Sequence, residues 1–107
     1  MDKRTENKLN ELLKYSDPVK AQQNAFKKLG KDALLYISSR KDKKYMIKNP
    51  NTGKWVHFGQ FKPPYEDFLK HGSQARRQNY LKRSNFIRGN WRDDPYSANN
   101  LSRELLW

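Results

Sequence analysis

Lys43-Lys44-Tyr45-Met46-Ile47-Lys48-Asn49-Pro50-Asn51-Thr52-Gly53-Lys54-Trp55-Val56-His57-Phe58-Gly59 is the stretch that decides the fold of this 107-residue chain. Asn49 to Gly53 is its strongest turn signal, because proline presets φ while asparagine and glycine accept the positive φ of a tight reversal. Lys44 to Ile47 before the turn has the β-branched and aromatic content of a strand, and Lys54 to Phe58 after it alternates. Trp55 and His57 fall on one face, Val56 and Phe58 on the other. Leu34-Leu35-Tyr36-Ile37, separated by a polar, turn-like segment from Ser38 to Lys43, supplies a third strand. A three-stranded antiparallel meander is the economical arrangement, with lysine-rich edges that discourage edge-to-edge association.

Before the meander the chain reads as helix, break, helix. Leu9, Leu12 and Leu13 lie at i, i+3, i+4, and Asp17-Pro18 offers an N-cap followed by proline at the first helical position. Ala21, Ala25, Phe26 and Leu29 form the stripe of the second helix, Lys27 and Lys28 suit its last turn, and Gly30 is a natural C′ residue. After Gly59 the pattern loosens at Phe61-Lys62-Pro63-Pro64. Tyr65, Phe68 and Leu69 then mark a short helix that His71-Gly72-Ser73 ends, and Gln74 to Arg83 makes a basic helix. Asp94-Pro95-Tyr96-Ser97 introduces a last helix with Ala98, Leu101 and Leu105 at i, i+3, i+7. Leu106-Trp107 is expected to dock, since a large apolar pair is unsuited to a frayed end. The fold class is α+β: an N-terminal helical extension over 1–32, then a compact basic module over 33–107 in which short C-terminal helices pack on the sheet.

Composition narrows the function. From Lys43 to Arg92 twelve Lys/Arg and nine aromatics stand against two acids, Glu66 and Asp67, so this segment carries +10 of the formal +12. Basic residues neutralise phosphates and exposed rings stack on bases, so such a run fits a polyanion ligand; the same rings also fit a thin core. Most have core spacing: Tyr65 and Phe68 partner Leu69, Tyr80 sits beside Leu81, and Trp107 extends an apolar helix. Trp55 and Phe61 are the stacking candidates, with Phe58 in place of Trp55 if the hairpin exposes its other face. Contact with nucleic acid or an acidic partner is expected from Lys41, Lys43, Lys44, Lys48 and Lys54 on the sheet, and from Arg76, Arg77, Lys82, Arg83 and Arg88 on and after the basic helix.

Catalysis has little support. Adjacent Glu66 and Asp67 diverge on a helix and make a poor acid/base pair, and they read as a solvated first turn. His57 and His71 show no metal-ligand spacing, and the glycines form no phosphate-binding loop. His57 reads as a strand residue and His71 as a helix-end residue favoured by the dipole. With zero cysteines there is no disulfide or thiolate metal site. No run approaches the ~20 apolar residues of a membrane span, and MDKRTENK lacks the apolar run of a secretory signal. The expectation is a non-enzyme with no metal and no cofactor.

The ordered set Lys43 to Ile47, Val56-His57-Phe58-Gly59, Tyr65-Glu66-Asp67-Phe68, Lys70-His71, Arg76-Arg77, Asn79 to Arg83, Trp91 and Ser97 to Trp107 resembles a known family. Its members are small basic proteins of unassigned function encoded by large double-stranded DNA viruses, by polinton-like viruses and virophages, and by some phages. The resemblance spans about residues 43–107 and leaves out the first 40. It implies a viral origin and presence in the virion, with host cytoplasm or nucleus during assembly, but no catalytic residues. The expected function is a structural virion component, a minor capsid or internal protein, whose basic surface meets capsid proteins or packaged genome. The alternative is a viral protein that binds double-stranded DNA non-specifically by phosphate contacts, outside the capsid.

Overall fold

In the computed structural model, which describes residues 2–62 and 65–107, the Asn49–Gly53 reversal forms as its sequence predicts. The Asn49 N–H donates to the Lys54 carbonyl and the Gly53 N–H to the Asn49 carbonyl, each at 2.8 Å, and Gly53 takes φ 72°. The turn joins β2 (Lys43–Lys48) to β3 (Trp55–Gln60) in antiparallel register, with Tyr45 opposite Phe58, Ile47 opposite Val56 and Lys48 opposite Trp55. β1 (Tyr36–Ile37) pairs antiparallel with the other edge of β2, Tyr36 opposite Met46, so the sheet order is β1-β2-β3.

The first strand is shorter than the Leu34–Ile37 run expected for it. The Gln22 side chain takes its place: its amide donates to the Ala33 carbonyl at 2.7 Å and accepts the Leu35 N–H at 2.8 Å. Gln22 belongs to α2 (Pro18–Leu29), which opens at an Asp17 carboxylate accepting the Lys20 N–H and closes at Gly30, φ 111°. α1 (Lys3–Leu12) starts at Asp2, whose carboxylate accepts the Thr5 N–H at 2.7 Å. The second helix follows the predicted capping logic.

Beyond the sheet lie α3 (Phe68–His71), α4 (Gln74–Ser84), a single 3-10 turn (Trp91–Asp93), and α5 (Ala98–Leu101), which continues into a π-helical turn over Ser102–Leu106. Gly72, φ 64°, ends α3 and the Ser73 hydroxyl caps α4. Pro63 and Pro64, the expected break, lie outside the described residues. Tyr65 precedes α3 and is exposed, so it leaves the core that helical spacing assigned to it; Phe68 and Leu69 are half-buried.

The fold is α+β, with one core. Tyr45, Ile47 and Phe58 from one sheet face meet Leu12 of α1, Ala21 and Ala25 of α2, and Leu101, Leu105 and Leu106 of the C-terminal segment. Leu12, Ala21 and Ala25 from the first 32 residues thus share that core with the sheet. The wider π turn brings both Leu105 and Leu106 inside, whereas simple helical spacing selected Ala98, which is exposed. Gly59, at φ 77°, is the point of closest approach: a Cβ there would lie 2.7 Å from Leu106 Cδ1.

Candidate polyanion interface

A cation contacts a phosphate only when its charged end reaches solvent and no carboxylate has already claimed it. Lys48 ends β2 and is exposed; its register partner is Trp55. Lys54 is exposed in the reversal just before Trp55, held there by the bonds its backbone makes to Asn49 and to the Thr52 hydroxyl. Lys41 is exposed in the loop before β2, and Lys43 is half-buried at the start of that strand. On the basic helix Lys82 and Arg83 occupy the last turn, exposed, and Arg88 is exposed in the segment that follows. Among the described residues, no acid lies within ion-pair distance of Lys41, Lys48, Lys54, Lys82, Arg83 or Arg88. Along α4 a shallow groove of about 320 Å³, lined by Gln78, Asn79, Leu81, Lys82 and Asn85, presents amide groups beside the lysine.

Three of the expected contact residues are otherwise employed. Lys44 is a correction: it is buried, and its Nζ lies 3.1 Å from Asp67 Oδ2, where an external phosphate has no access. Asp67, read from sequence as part of a solvated first turn, is also fully buried. Its N–H donates to the Tyr15 carbonyl at 3.0 Å and so ties the start of α3 to the turn that follows α1. Arg77 is half-buried, its guanidinium 5.4 Å from the centre of the Phe68 ring and its Nε donating to the Trp107 carbonyl. Arg76 remains exposed, 3.9 Å from Glu66, a solvated pair that contributes little.

The two stacking candidates part company. Phe61 is half-buried against Tyr15, ring centres 6.2 Å apart, with Lys8 Nζ 5.8 Å from its ring centre. Trp55 is 45% exposed and meets Tyr36, 48% exposed, edge to face at 5.5 Å and 84°. Tyr36 was not singled out in the sequence, although alternation in Leu35-Tyr36-Ile37 places it opposite the core-facing Ile37. Met46, His57 and Lys48 share this outer face through the strand register. His57 Nδ1 lies 2.7 Å from the Ser38 hydroxyl, and partial burial, then the nearby Arg40 and Lys8, hold its pKa below the ordinary imidazole value.

Lys8 was also missed. Its ammonium donates to the carbonyls of Ser38, Arg40 and Lys43 at 2.7, 2.6 and 2.7 Å, so α1 clamps the loop that carries Lys41. No local pattern marks it, since those partners are thirty and more residues away. Trp91, by contrast, is buried between guanidinium groups, Arg92 at 4.2 Å and Arg103 at 5.2 Å from its ring centre, which spends both arginines on packing.

Among the described residues no group of three or more His, Cys, Asp or Glu side chains is arranged to hold a metal, and no helix is long and apolar enough to cross a membrane. Residues 33–84, just under half of the chain, match a protein family described as a family of unknown function (DUF5754). The matched segment runs from just before β1 through the end of α4, and so includes every expected contact residue except Arg88. No curated protein and no solved structure matches the chain.

Proposed function

We propose that the chain is a small basic virion protein, a non-enzymatic structural component that holds packaged genome through its exposed cations. The observation that carries this reading is that six of the expected contact residues, Lys41, Lys48, Lys54, Lys82, Arg83 and Arg88, are exposed and free of ion-pairing acids among the described residues. Buried or paired bases would add to the formal charge without reaching a phosphate; these six reach it. The viral setting rests on the resemblance of residues 43–107 to small basic viral proteins. Acidic faces of capsid proteins satisfy the same cations and are the other surface such a component would dock on.

Mass spectrometry of purified particles tests the location, and absence of the chain from them overturns the structural role. Salt titration of duplex binding tests the contact. If about five phosphates are neutralised, the slope of log affinity against log salt is about −4.5, and each Lys→Gln or Arg→Gln change among the six lowers its magnitude by about one. A slope near zero removes phosphate contact. A second reading, a viral nucleic-acid-binding protein acting outside the capsid, is favoured by one observation: the exposed Tyr36 and Trp55 beside Lys48 suit bases better than they suit an acidic protein face. Binding to DNA by a chain missing from particles would select it.

A further inference from the structure

We propose that Tyr36 and Trp55 form a corner on the open sheet face that takes an unpaired base, which makes single-stranded nucleic acid the preferred ligand. The inference rests on the polyanion reading above and names the class of polyanion.

The two rings come from opposite edges of the sheet, β1 and β3, and meet across β2. Their 84° angle is a corner, so a base laid parallel to one ring presents its edge to the other. Both arrangements are favourable between π-systems. Each ring is half exposed although the chain has a thin core that such large side chains would help to fill. The opposite face of the same strands supplies the contrast: Tyr45 and Phe58 are buried and close on each other at 5.9 Å.

Charge fixes the occupant. Lys48 stands directly across from Trp55 and Lys54 directly before it, both exposed and free of ion-pairing acids among the described residues. A nucleotide on the corner places its base on the rings and its phosphates within the field of the Lys48 ammonium group, the register partner of Trp55. An acidic peptide would satisfy the lysines and leave the rings unused; an apolar peptide would do the reverse. In a duplex the base faces are already stacked on their neighbours, so only an unpaired strand gains from the rings.

The test compares a fluorescein-labelled dT20 with a 20-base-pair duplex, both titrated with the full-length chain at one low salt concentration. Trp55→Leu and Tyr36→Leu keep an apolar side chain on the strand and remove the stacking ring. Each is expected to weaken dT20 binding by about five- to a hundredfold, the range for loss of one stacked base, and to change duplex binding less than about twofold. Trp55→Phe, which keeps a ring, should restore most of the dT20 affinity. As a measurement that needs no destabilising change, dT20 should quench tryptophan emission of the unaltered chain more than it quenches the emission of Trp55→Phe. Equal quenching, or Leu variants that bind dT20 as tightly as the unaltered chain while salt-dependent duplex binding persists, overturns the corner and leaves the phosphate contact standing. No binding to either probe removes both.

Discussion

Lys44 Nζ and Asp67 Oδ2 sit 3.1 Å apart with side chains only 4% and 1% exposed, a buried ion pair that ties β2 to the start of α3. Burial works against both charges, raising the Asp67 pKa and lowering that of Lys44, and each partner opposes the shift in the other. Asp67 Oδ1 is buried with no hydrogen-bond partner among the described residues, so the carboxylate is not fully compensated. Removing one partner should therefore cost more than removing both. Asp67→Leu or Lys44→Met alone is expected to destabilise by about 3–5 kcal/mol, while the two together should return to within about 1 kcal/mol of the original. Urea melts of the four proteins give the answer, and additive losses would show that the pair is not coupled.

Gly59 has both reasons to be glycine. Its φ of 77° disfavours any L side chain, and a Cβ would come 2.7 Å from Leu106 Cδ1 and 3.3 Å from Lys44 Cβ. Both neighbours are buried, so neither can move aside cheaply. Gly59→Ala should lower stability by about 2–4 kcal/mol, adding the backbone strain to overpacking. Gly53→Ala, at φ 72° with open space around its Cβ, carries the backbone part alone and should cost about 1 kcal/mol. Equal melting temperatures for the two variants would remove the packing contribution.

His71 makes stability depend on pH. Its Nδ1 accepts the Ser73 N–H at 2.9 Å, which requires the neutral ring, and Nε2 is buried without a partner among the described residues. Burial, then the charge of Arg76, lowers its pKa from 6.5, with Lys44 acting the same way and Glu66 and Asp67 opposing. The folded state thus holds the proton less tightly than the unfolded chain. Stability is full above 6.5 and falls as pH drops from there through the folded pKa. His57 is shifted the same way. Melting temperature should decline as pH falls below 6.5, and His71→Gln should flatten part of that decline. An unaltered slope in the variant would exclude His71 as a source.

The meander was legible because its signals are local. The Asn49–Gly53 turn, the alternation of Trp55 to Phe58 and the caps at Asp17 and Ser73 each lie within a few residues of what they determine. The exposed cations of the hairpin and α4 were legible for a related reason, since most lysines and arginines stay at the surface. What escaped depends on partners far along the chain. Lys44 reads as one more strand lysine until Asp67, 23 residues on, is folded against it, and Gln22 reads as a polar helix residue until it replaces the sheet at Leu35. The Tyr36–Trp55 corner needs the pairing of all three strands before the rings can meet.

Trp107 was expected to dock, and its contacts specify how. Its ring lies on Tyr80 at 4.3 Å and 11°, a parallel stack, and reaches His71 at 5.2 Å. Its carbonyl accepts from Arg77, so side chain and backbone hold α4 against the C-terminal segment. The residue is only partly buried, which places its truncation below the cost of a fully buried tryptophan. Trp107→Ala should destabilise by about 2–3 kcal/mol, and Trp107→Phe, which preserves a stacking face, by about 1 kcal/mol. Tyr80→Ala removes the other half of the stack, so combining it with Trp107→Ala should cost less than the sum of the separate losses. The double-mutant cycle by thermal or urea unfolding measures that coupling, and strictly additive losses would mean that the rings lie together without stabilising each other.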